Sequence, residues 1–581
     1  MKILIRLVIF IRESWWLLVI AFLCQTATTG FSLAVPRLLG DGIDDVLSQG
    51  TRTGLIIAAG AILGALALRG AFAYGQTWFS QLVSQKTSYT IRNKLFNHLQ
   101  KLSYSFHDQA QTGELMSRGT VDIAAVQMFF GNGLLGITQI VIMFTGVSWL
   151  LLSMDWKLAL LCMTVVPLVG WRSIYFRRRL EPLWMKIQEL MAALGTVLEE
   201  SLTGVRIVKS FTREKEENQK FTTRATDLYN QQIGVARVMA VNAPFLLFLM
   251  TIPTALVIWY GGRQVITGDL TIGHVTQFIL YLNMMLMPIR RLGFMVNMLS
   301  RTQMAGQRIL EILDTQPAVL EKPDAVDLGR LKGQVTFENV SFSYDSTGPA
   351  LEDISFNVQP GQLVALLGGS GSGKSTISKL ISRFYDVTSG RITVDGTDIR
   401  DATLASLRRN VITCQQDIFL FSDTIRDNIA YGSVEADSDQ VEVVAKAASL
   451  HDFVISLPEG YDTWVGERGI TLSGGEKQRL AIARTLLMNP SILLLDDATS
   501  SVDAGTEHLI RQALGELIKD RTTFIITHRL PIIKNADLIL LLDKGRIIEM
   551  GNHEELMAKE GHYYHTYQLQ IAVSDDFIED T

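Results

Sequence analysis

A glycine-rich run with a single lysine carries the clearest chemistry in the sequence. It fits the pattern G-x-x-x-x-G-K-[ST] without a mismatch, and its residues are Gly368, Gly369, Ser370, Gly371, Ser372, Gly373, Lys374, Ser375 and Thr376. An apolar strand at 363–367 precedes it and a helical run at 376–383 follows, which is the context of a phosphate-binding P-loop rather than of a chance turn. We expect its backbone N–H groups and Lys374 to bind phosphates and the Ser375 hydroxyl to coordinate Mg²⁺.

Two adjacent carboxylates end a second apolar strand. Residues 492–495 lead directly into Asp496 and Asp497. Mg²⁺ prefers oxygen ligands and keeps several of its waters, so a carboxylate delivered by a strand end suits magnesium–phosphate chemistry. We expect Asp496 to hold Mg²⁺ through water, and Asp497 to orient or deprotonate the water that attacks the phosphate.

Between these strands, residues 472–478 read Leu-Ser-Gly-Gly-Glu-Lys-Gln before a helix. This run resembles the signature of ATP-binding cassette (ABC) proteins. The resemblance implies that Ser473, Gly474, Gly475 and Gln478 bind the γ-phosphate of an ATP held by the opposite subunit's P-loop, since helix N-termini attract anions. It also implies that one chain cannot complete a site, so that the protein works as a dimer.

Further motifs of the ABC family follow in order. The resemblance implies that Tyr344 stacks on adenine, that Gln416 contacts Mg²⁺ and senses the membrane domain, and that His528 contacts the γ-phosphate. Residues 463–469 are similar to a short motif of exporters, and 500–503 to the loop that crosses the dimer interface. Asp497, His528 and Gln416 are therefore the expected catalytic residues, with Ser375, Gln416 and Asp496 at the metal.

The chain departs from the exporter pattern at Gln415, where exporters usually have proline, and at Asp497, where members that hydrolyse ATP well have glutamate. Aspartate retracts the carboxylate by about 1.5 Å, and a misplacement of about 1 Å can slow a reaction about 100-fold. We expect slow hydrolysis at this chain's own site. Such a replacement resembles that in one subunit of heterodimeric exporters. A homodimer with slow hydrolysis remains an alternative, because His528 is retained.

Composition places part of the chain in lipid. Hydrophobic residues make up 48% of the 581, mean hydropathy is +0.22, and the long apolar runs lie in the first half. The net charge of −5 gives no sign of a nucleic-acid partner. The three cysteines, Cys24, Cys162 and Cys414, are too far apart to suggest a metal or disulfide framework.

Six apolar segments have about the length of roughly 20 residues that a helix needs to cross a bilayer. They lie near residues 15–38, 55–78, 130–153, 158–175, 241–260 and 272–292. Arginines follow the fourth segment at 177–179, whereas the acidic residues Asp41, Asp44 and Asp45 follow the first. Because basic residues mark cytosolic ends, we expect the N-terminus and the second half of the chain in the cytosol.

Polar residues within these spans are costly and usually face a bundle interior or a water-filled cavity. They are Gln25, Thr26, Thr28, Thr29, Arg69, Gln139, Asn242, Gln277 and Asn283. The connections 91–128 and 180–240 read as helical extensions with breaks at 105–114 and 202–205. Periodicity alone leaves a docking helix and an ordinary hairpin equally open, while a resemblance to the two intracellular loops of six-span exporters favours docking helices.

These observations predict an α-helical membrane domain of six transmembrane helices with long cytosolic extensions, joined to an α/β P-loop NTPase domain. We expect a membrane domain at 1–310, a linker at 311–332, a nucleotide-binding domain at 333–570 and an acidic tail at 571–581. The resemblance implies ATP-driven export of an amphipathic drug, lipid or peptide by half of a dimer in the inner membrane. An ATP-binding regulatory membrane protein remains an alternative.

Overall fold

The computed structural model describes residues 2–49, 52–344, 348–415, 417–433, 435–466, 469–496, 504–527 and 530–568, with the backbone alone at 48–49, 286–293, 504–507 and 530–531. The chain forms two compact units. The membrane unit comprises Met1–Gln100 and Gln111–Thr315, and the nucleotide unit comprises Lys101–Ala110 and Gln316–Thr581. A ten-residue insertion in the membrane half therefore belongs to the nucleotide unit.

The membrane unit is built from α-helices. Its helices are α1 Lys2–Val8, α2 Trp15–Gln49, α3 Arg52–Leu99, α5 Thr112–Ser117, α6 Ile123–Met128, α7 Leu134–Met154, α8 Trp156–Met163, α9 Val165–Thr203, α10 Val205–Ser210, α11 Glu214–Leu256, α12 Gly262–Thr267 and α13 Ile272–Asp314, while α4 Tyr104–Gln109 lies in the nucleotide unit. A 3-10 turn follows α1 at Ile9–Ile11, and π-helical turns at Arg118–Asp122, Phe129–Gly133 and Val257–Gly261 join several of the shorter helices.

Five continuous helices in the described part of the chain are long and apolar enough to cross a membrane. They run Trp15–Leu47, Arg52–Leu99, Thr112–Met154, Trp156–Thr203 and Glu214–Thr267. They contain the first five predicted spans. The sixth, 272–292, falls in the 43-residue α13, where side chains 286–293 lie outside the described residues, so it stays a prediction.

The tight turn between the third and fourth spans is set by one aspartate. Asp155 is extended, with φ −150° and ψ 106°, so it ends α7. Its carboxylate accepts a hydrogen bond of 2.8 Å from the Leu158 backbone N–H and thereby starts α8. An N-terminal cap of this kind satisfies an amide that would otherwise lack a partner at the helix end.

The nucleotide unit contains two principal sheets. Its strands are β1 Val335–Phe342, β2 Leu351–Val358, β3 Leu363–Gly368, β4 Ser389–Val394, β5 Thr397–Asp398, β6 Val411–Cys414, β7 Asp423–Thr424, β8 Trp464–Val465, β9 Ile492–Asp496, β10 Thr522–Ile526, β11 Leu538–Asp543 and β12 Arg546–Gly551. The larger sheet has the order β12-β11-β3-β10-β9-β6, parallel except for β12 at its edge. An antiparallel sheet has the order β2-β1-β4-β5, and β7 pairs with β8.

Helices pack around the larger sheet. They are α14 Lys374–Ile381, α15 Leu404–Asn410, α16 Ile425–Ala430, α17 Ser438–Ala447, α18 His451–Ser456, α19 Gly474–Met488, α20 Ala504–Ile518, α21 Leu530–Lys534 and α22 His553–Ala558, with a 3-10 turn at Gly460–Asp462. Consecutive residues of a strand pack on opposite faces of the sheet. Leu366 of β3 therefore lies in one apolar cluster and Leu367 in the other. Burial on both faces explains why the parallel strands read as unbroken apolar runs.

Candidate functional site: a phosphate-binding loop at the sheet edge

The P-loop connects β3 to α14, as its flanking pattern predicts, and α14 begins two residues earlier than expected. Three of its glycines have a positive φ, which other residues avoid: 143° at Gly368, 77° at Gly371 and 105° at Gly373. A Cβ at Gly368 would lie 2.2 Å from the Leu542 carbonyl oxygen, and one at Gly373 would lie 2.6 Å from Leu351 Cδ2. Close packing and positive φ together require glycine at both positions.

Lys374 folds back over the loop that it follows. Its ammonium donates hydrogen bonds of 2.9 Å and 2.8 Å to the carbonyl oxygens of Gly368 and Gly369. Burial lowers the pKa of Lys374, and the nearby Asp496 carboxylate opposes that shift. A cation held within this loop is positioned to attract phosphate oxygens.

The parallel register brings the predicted phosphate and metal residues to one edge of the sheet. Ile526 of β10 pairs with both Asp496 of β9 and Leu366 of β3, so these strands reach the P-loop end together. The Ser375 hydroxyl lies 3.3 Å from an Asp496 carboxylate oxygen. The carboxyl edge of a parallel sheet is where ligands of such folds bind.

The donors at this edge fit Mg²⁺, which takes oxygen ligands and retains waters when only one or two come from protein. A cavity of about 240 Å³ lies beside them, with Ser375, Asp496, Gln415 and Asp417 in its lining. Within the described residues, no group of three or more His, Cys, Asp or Glu side chains could hold a metal alone. Phosphate oxygens and water would have to supply the remaining ligands.

Tyr344, predicted to stack on adenine, lies next to the helix that follows the P-loop. Its hydroxyl is 3.1 Å from the Thr376 hydroxyl oxygen. Tyr344 is 43% exposed, and its ring meets the rings of Phe342 and Tyr385 edge-on. An aromatic face held in this position remains accessible to a planar base.

The signature run forms the start of α19. Ser473 caps this helix: its hydroxyl accepts from the Glu476 backbone N–H at 3.4 Å, and the Glu476 carboxylate accepts from the Ser473 backbone N–H at 2.7 Å. Ser473 and Gly474 are exposed, whereas Gly475 and Gln478 are buried. The 15-residue helix thus presents its positive end to the surface.

Several predicted site residues lie outside the described residues. They are Gln416, Asp497 and His528, together with 467–468 of the exporter motif and 500–503. Their neighbours are described: Gln415 and Asp417 line the cavity beside the P-loop, and Asp496 ends β9 at the same edge. The roles predicted for the three residues stay predictions.

Asp108 of the predicted break, together with residues not singled out from the sequence, holds α4 in the nucleotide unit. Tyr104 stacks on Phe384, with ring centroids 4.7 Å apart. Asp108 accepts a 2.6 Å hydrogen bond from the Tyr385 hydroxyl and lies 3.3 Å from the Lys379 ammonium. Burial, followed by the hydrogen bond to Asp108, raises the pKa of Tyr385, so this hydroxyl keeps its proton and donates.

The break at 105–114 signalled a docking helix, but nothing in the sequence identified its receptor. The Lys379 ammonium lies between 5.5 and 5.8 Å from the ring centres of Tyr104, Tyr344 and Tyr385. Cation–π contacts of this length are attractive. They connect α4 to the predicted adenine-stacking tyrosine through one lysine.

Comparison with known proteins is decisive for the family. Residues 18–289 match the ABC transporter transmembrane region, and residues 351–500 match the ABC transporter family. The chain is 38% identical over 552 residues to an ATP-dependent lipid A-core flippase of Syntrophus aciditrophicus, covering 95% of this chain and 92% of that protein. The chain is an ABC transporter.

Other similarities agree with this assignment. The ABC transporter is 39% identical over 545 residues to the putative multidrug export ATP-binding/permease protein YgaD of Bacillus subtilis, covering 93% and 94% of the two chains. It is also similar to a solved bacterial Atm1-family ABC exporter with ATP bound, with a TM-score of 0.78, 32% identity and coverage of 96% and 98%.

The predicted fold class and exporter-type family are therefore confirmed. The chain is a fused half-transporter in which a multi-span helical membrane domain is joined to a nucleotide-binding ATPase domain. It hydrolyses ATP to drive transport and resides in the inner membrane.

Proposed function

We propose that this ABC transporter exports an amphipathic substrate, such as a drug, lipid or peptide, as one half of a dimer that alternates between inward-facing and outward-facing states. ATP can drive this cycle only through its different affinity for the two states. The proposed domain division keeps the membrane domain at 1–310 and the nucleotide-binding domain at 333–570.

The main support for a dimer is that the P-loop and the signature lie apart within one chain. No described residue of 473–478 lines the cavity beside Ser375 and Asp496. Ser473 and Gly474 are instead exposed at the tip of α19. We infer that they complete the phosphate site of a second subunit, whose own signature completes this one.

The residues of the site then have distinct tasks. Tyr344 stacks on the base, the amides of 368–376 and Lys374 hold the phosphates, and Asp497 orients the attacking water, with His528 and Gln416 contacting the γ-phosphate and the metal. Ser375, Gln416 and Asp496 would hold Mg²⁺, which when bound neutralises phosphate charge. The Ser375 hydroxyl lies 3.3 Å from an Asp496 carboxylate oxygen, which supports a shared role of these two residues at the metal.

A second exposed surface also supports dimerisation. The helix α10 was predicted as the second docking helix, and it belongs to the membrane unit. Its apolar residues are largely exposed, with Ile207 at 66% and the adjoining Phe211 at 73%. Because exposed apolar side chains at a cytosolic break favour burial against a partner, we infer that α10 docks on the nucleotide unit of the second subunit.

The subunits of this dimer are proposed to differ. Asp497 places its carboxylate about 1.5 Å short of the position that a glutamate would reach. The intact signature of this chain would serve the partner's active site, and the partner would carry the glutamate. A slow homodimer is the alternative.

The Asp497→Glu variant tests this idea. We expect it to raise the ATPase rate of the purified chain by about 10- to 100-fold, because a general base acts only within hydrogen-bond reach. Lys374→Ala, measured in parallel, sets the background without ATP binding. A wild-type rate already equal to that of Asp497→Glu would remove the reason for a second, different subunit.

Transport itself is tested with the purified complex in lipid vesicles. We expect ATP-dependent movement of a fluorescent amphipath, lost in Lys374→Ala. ATP-dependent closure of the dimer without movement of any lipid, dye or peptide would support a regulatory membrane protein instead.

A further inference from the structure

A cavity in the nucleotide unit extends between the metal-binding residues and α4. It has a volume of about 240 Å³. Ser375 and Asp496, which lie 3.3 Å apart, form one part of its lining, and the stacked rings of Tyr104 and Phe384 form another. At about 30 Å³ for each water molecule, the cavity has room for a phosphate ion together with several waters.

Two residues of this lining carry hydrogen-bond donors that the proposed nucleotide-binding roles do not use. Ser378 is only 6% exposed, and its hydroxyl makes no hydrogen bond with the described residues. A buried hydroxyl is costly unless water or a ligand satisfies it. Gln415 stands where exporters usually have proline, and its side-chain amide also has no partner in the described part of the chain. Both groups are therefore open to a molecule in the cavity.

Lys379 supplies the positive charge of the cavity. It is the only cationic side chain among the described residues of the lining. Its ammonium lies 3.3 Å from an Asp108 carboxylate oxygen, which occupies one of its three N–H donors. The side chain is 32% exposed, so the cavity can exchange ions with solvent at this point. The other two donors remain for an anion.

Two carboxylates limit how tightly an anion can be held. Asp496 is already assigned to Mg²⁺, whose charge offsets its own. Asp417 is exposed and is the other carboxylate of the described lining, where it repels an anion. Weak binding suits a product that must leave rather than a permanent ligand. The anion formed beside this cavity is the orthophosphate that ATP hydrolysis releases.

The proposed dimer gives this product a reason to leave on the α4 side. The signature of the second subunit would cover the phosphates on the open side of the P-loop. Orthophosphate that forms while the two subunits are together therefore needs another path to solvent. The cavity begins at Ser375 and Asp496, where the phosphates are expected, and reaches the partly exposed Lys379.

We propose that orthophosphate leaves the P-loop through this cavity and is held on its way by Lys379, Ser378 and Gln415. The ion moves intact, so no bond forms or breaks in this step. The inference rests on the proposed dimer and adds a path for its product. Because phosphate competes with Asp108 for the Lys379 ammonium, its passage also weakens the contact between α14 and α4.

Equilibrium dialysis of radiolabelled orthophosphate against the purified full-length protein tests the site. It is done without nucleotide in a Lys374→Ala background, which removes the cation of the P-loop. We expect Lys379→Met to weaken binding about tenfold and Ser378→Ala about threefold, as for a charged and a neutral hydrogen bond. Asp417→Asn should tighten binding about threefold, since it removes a repulsive charge.

The matched control is Lys519→Met, which removes the same charge from the exposed end of α20. It should bind phosphate as tightly as its parent. Lys379→Arg keeps the charge and should retain most of the affinity. No measurable binding in the Lys374→Ala background, or equal affinities of Lys379→Met and Lys519→Met, would overturn the proposal.

The exit itself is tested in a single turnover of the Asp497→Glu variant. Acid-quenched samples measure ATP cleavage, and a fluorescent phosphate-binding protein measures free orthophosphate. Asp417→Asn should lengthen the delay between cleavage and release about threefold and leave the cleavage rate unchanged, because tighter binding acts mainly through slower dissociation. An unchanged delay would show that phosphate leaves by another path.

The two assays separate this inference from the proposed function. Phosphate binding in the Lys374→Ala background requires neither dimerisation nor transport. The expected binding pattern in a chain that stays monomeric and moves no substrate would contradict the dimeric exporter and the exit role, and would support the Lys379 site alone. A dimer that transports but binds no orthophosphate in this background would overturn only the present inference.

Discussion

Gly373, at the end of the P-loop, shows how one residue type is imposed by its surroundings. Its φ of 105° lies in the left-handed region, and a Cβ there would approach Leu351 Cδ2 at 2.6 Å and the Ala350 carbonyl oxygen at 2.9 Å. Gly369, four residues earlier, has an ordinary backbone, and apart from its chain neighbours no heavy atom of the described residues lies within 4 Å of an added Cβ. Backbone geometry and packing therefore require glycine at position 373 but not at position 369.

The pair gives a matched prediction. Gly373→Ala should destabilise the nucleotide unit by about 2 kcal/mol, from backbone strain and overpacking, and weaken ATP binding about tenfold or more. Gly369→Ala should keep both properties close to wild type, because its amide remains available. Thermal melting and titration with a fluorescent ATP analogue would check this; equal effects of the two substitutions would contradict it.

At the scale of elements, α4 is held to the nucleotide unit while its neighbours in the chain belong to the membrane unit. Asp108 links it to both Tyr385 and Lys379. Lys379 also lies over the ring of Tyr344, the predicted base-stacking residue. These contacts therefore connect Tyr344 to α4, which lies between α3 and α5 in the chain. Movement of the nucleotide site can therefore be passed to α4.

Removing the Asp108 carboxylate should loosen this connection. Asp108→Ala leaves the Tyr385 hydroxyl without its acceptor, at a cost of about 1–3 kcal/mol. We expect ATP affinity to stay within about twofold of wild type while the substrate moved per ATP hydrolysed falls about fivefold, corresponding to about 1 kcal/mol of lost coupling.

The control is Gln109→Ala, on the same short helix. Gln109 is exposed and makes no side-chain hydrogen bond in the described part of the chain, so its removal should leave transport per ATP unchanged. Transport and phosphate release measured in the same vesicles would show the ratio. A normal ratio in Asp108→Ala would mean that α4 is held by its aromatic contacts alone.

At the scale of the whole molecule, charge and hydropathy set the orientation in the membrane. The arginines at 177–179 lie in α9 beyond the fourth span, and α11 begins at Glu214 after the break near α10. The turn between α12 and α13, at 268–271, lies at the other end of the continuous helix Glu214–Thr267, which contains the fifth span. Positive residues are retained in the cytosol. The break near α10 should therefore face the cytosol, and the turn at 268–271 should face the opposite compartment.

Single cysteines report this orientation. Asp269→Cys should react with a membrane-impermeant maleimide added outside intact cells, and Arg213→Cys only after the membrane is opened. Both variants are made in a Cys24→Ala background, because Cys24 is only partly buried. Labelling of the other two cysteines should be low, because Cys162 and Cys414 are buried and burial raises the pKa of the Cys414 thiol to about 11. Labelling of Arg213→Cys in intact cells would contradict the proposed orientation in the membrane.

Local sequence patterns were sufficient to predict the P-loop, the strand that ends in Asp496 and the first five spans. Each of these is a local pattern in which spacing, periodicity or length is the physical requirement itself. The chemistry of nucleotide binding could be predicted for the same reason.

Contacts between residues far apart in the chain could be identified only from the folded structure. The register of β9 against β10 and β3 brought Asp496 to Ser375, and packing joined α4 to Phe384, Tyr385 and Lys379. It likewise placed Arg69, already noted as a costly residue, in a cavity whose described lining residues include no carboxylate. Contacts between residues far apart in the chain depend on how whole elements pack, and no local spacing encodes them.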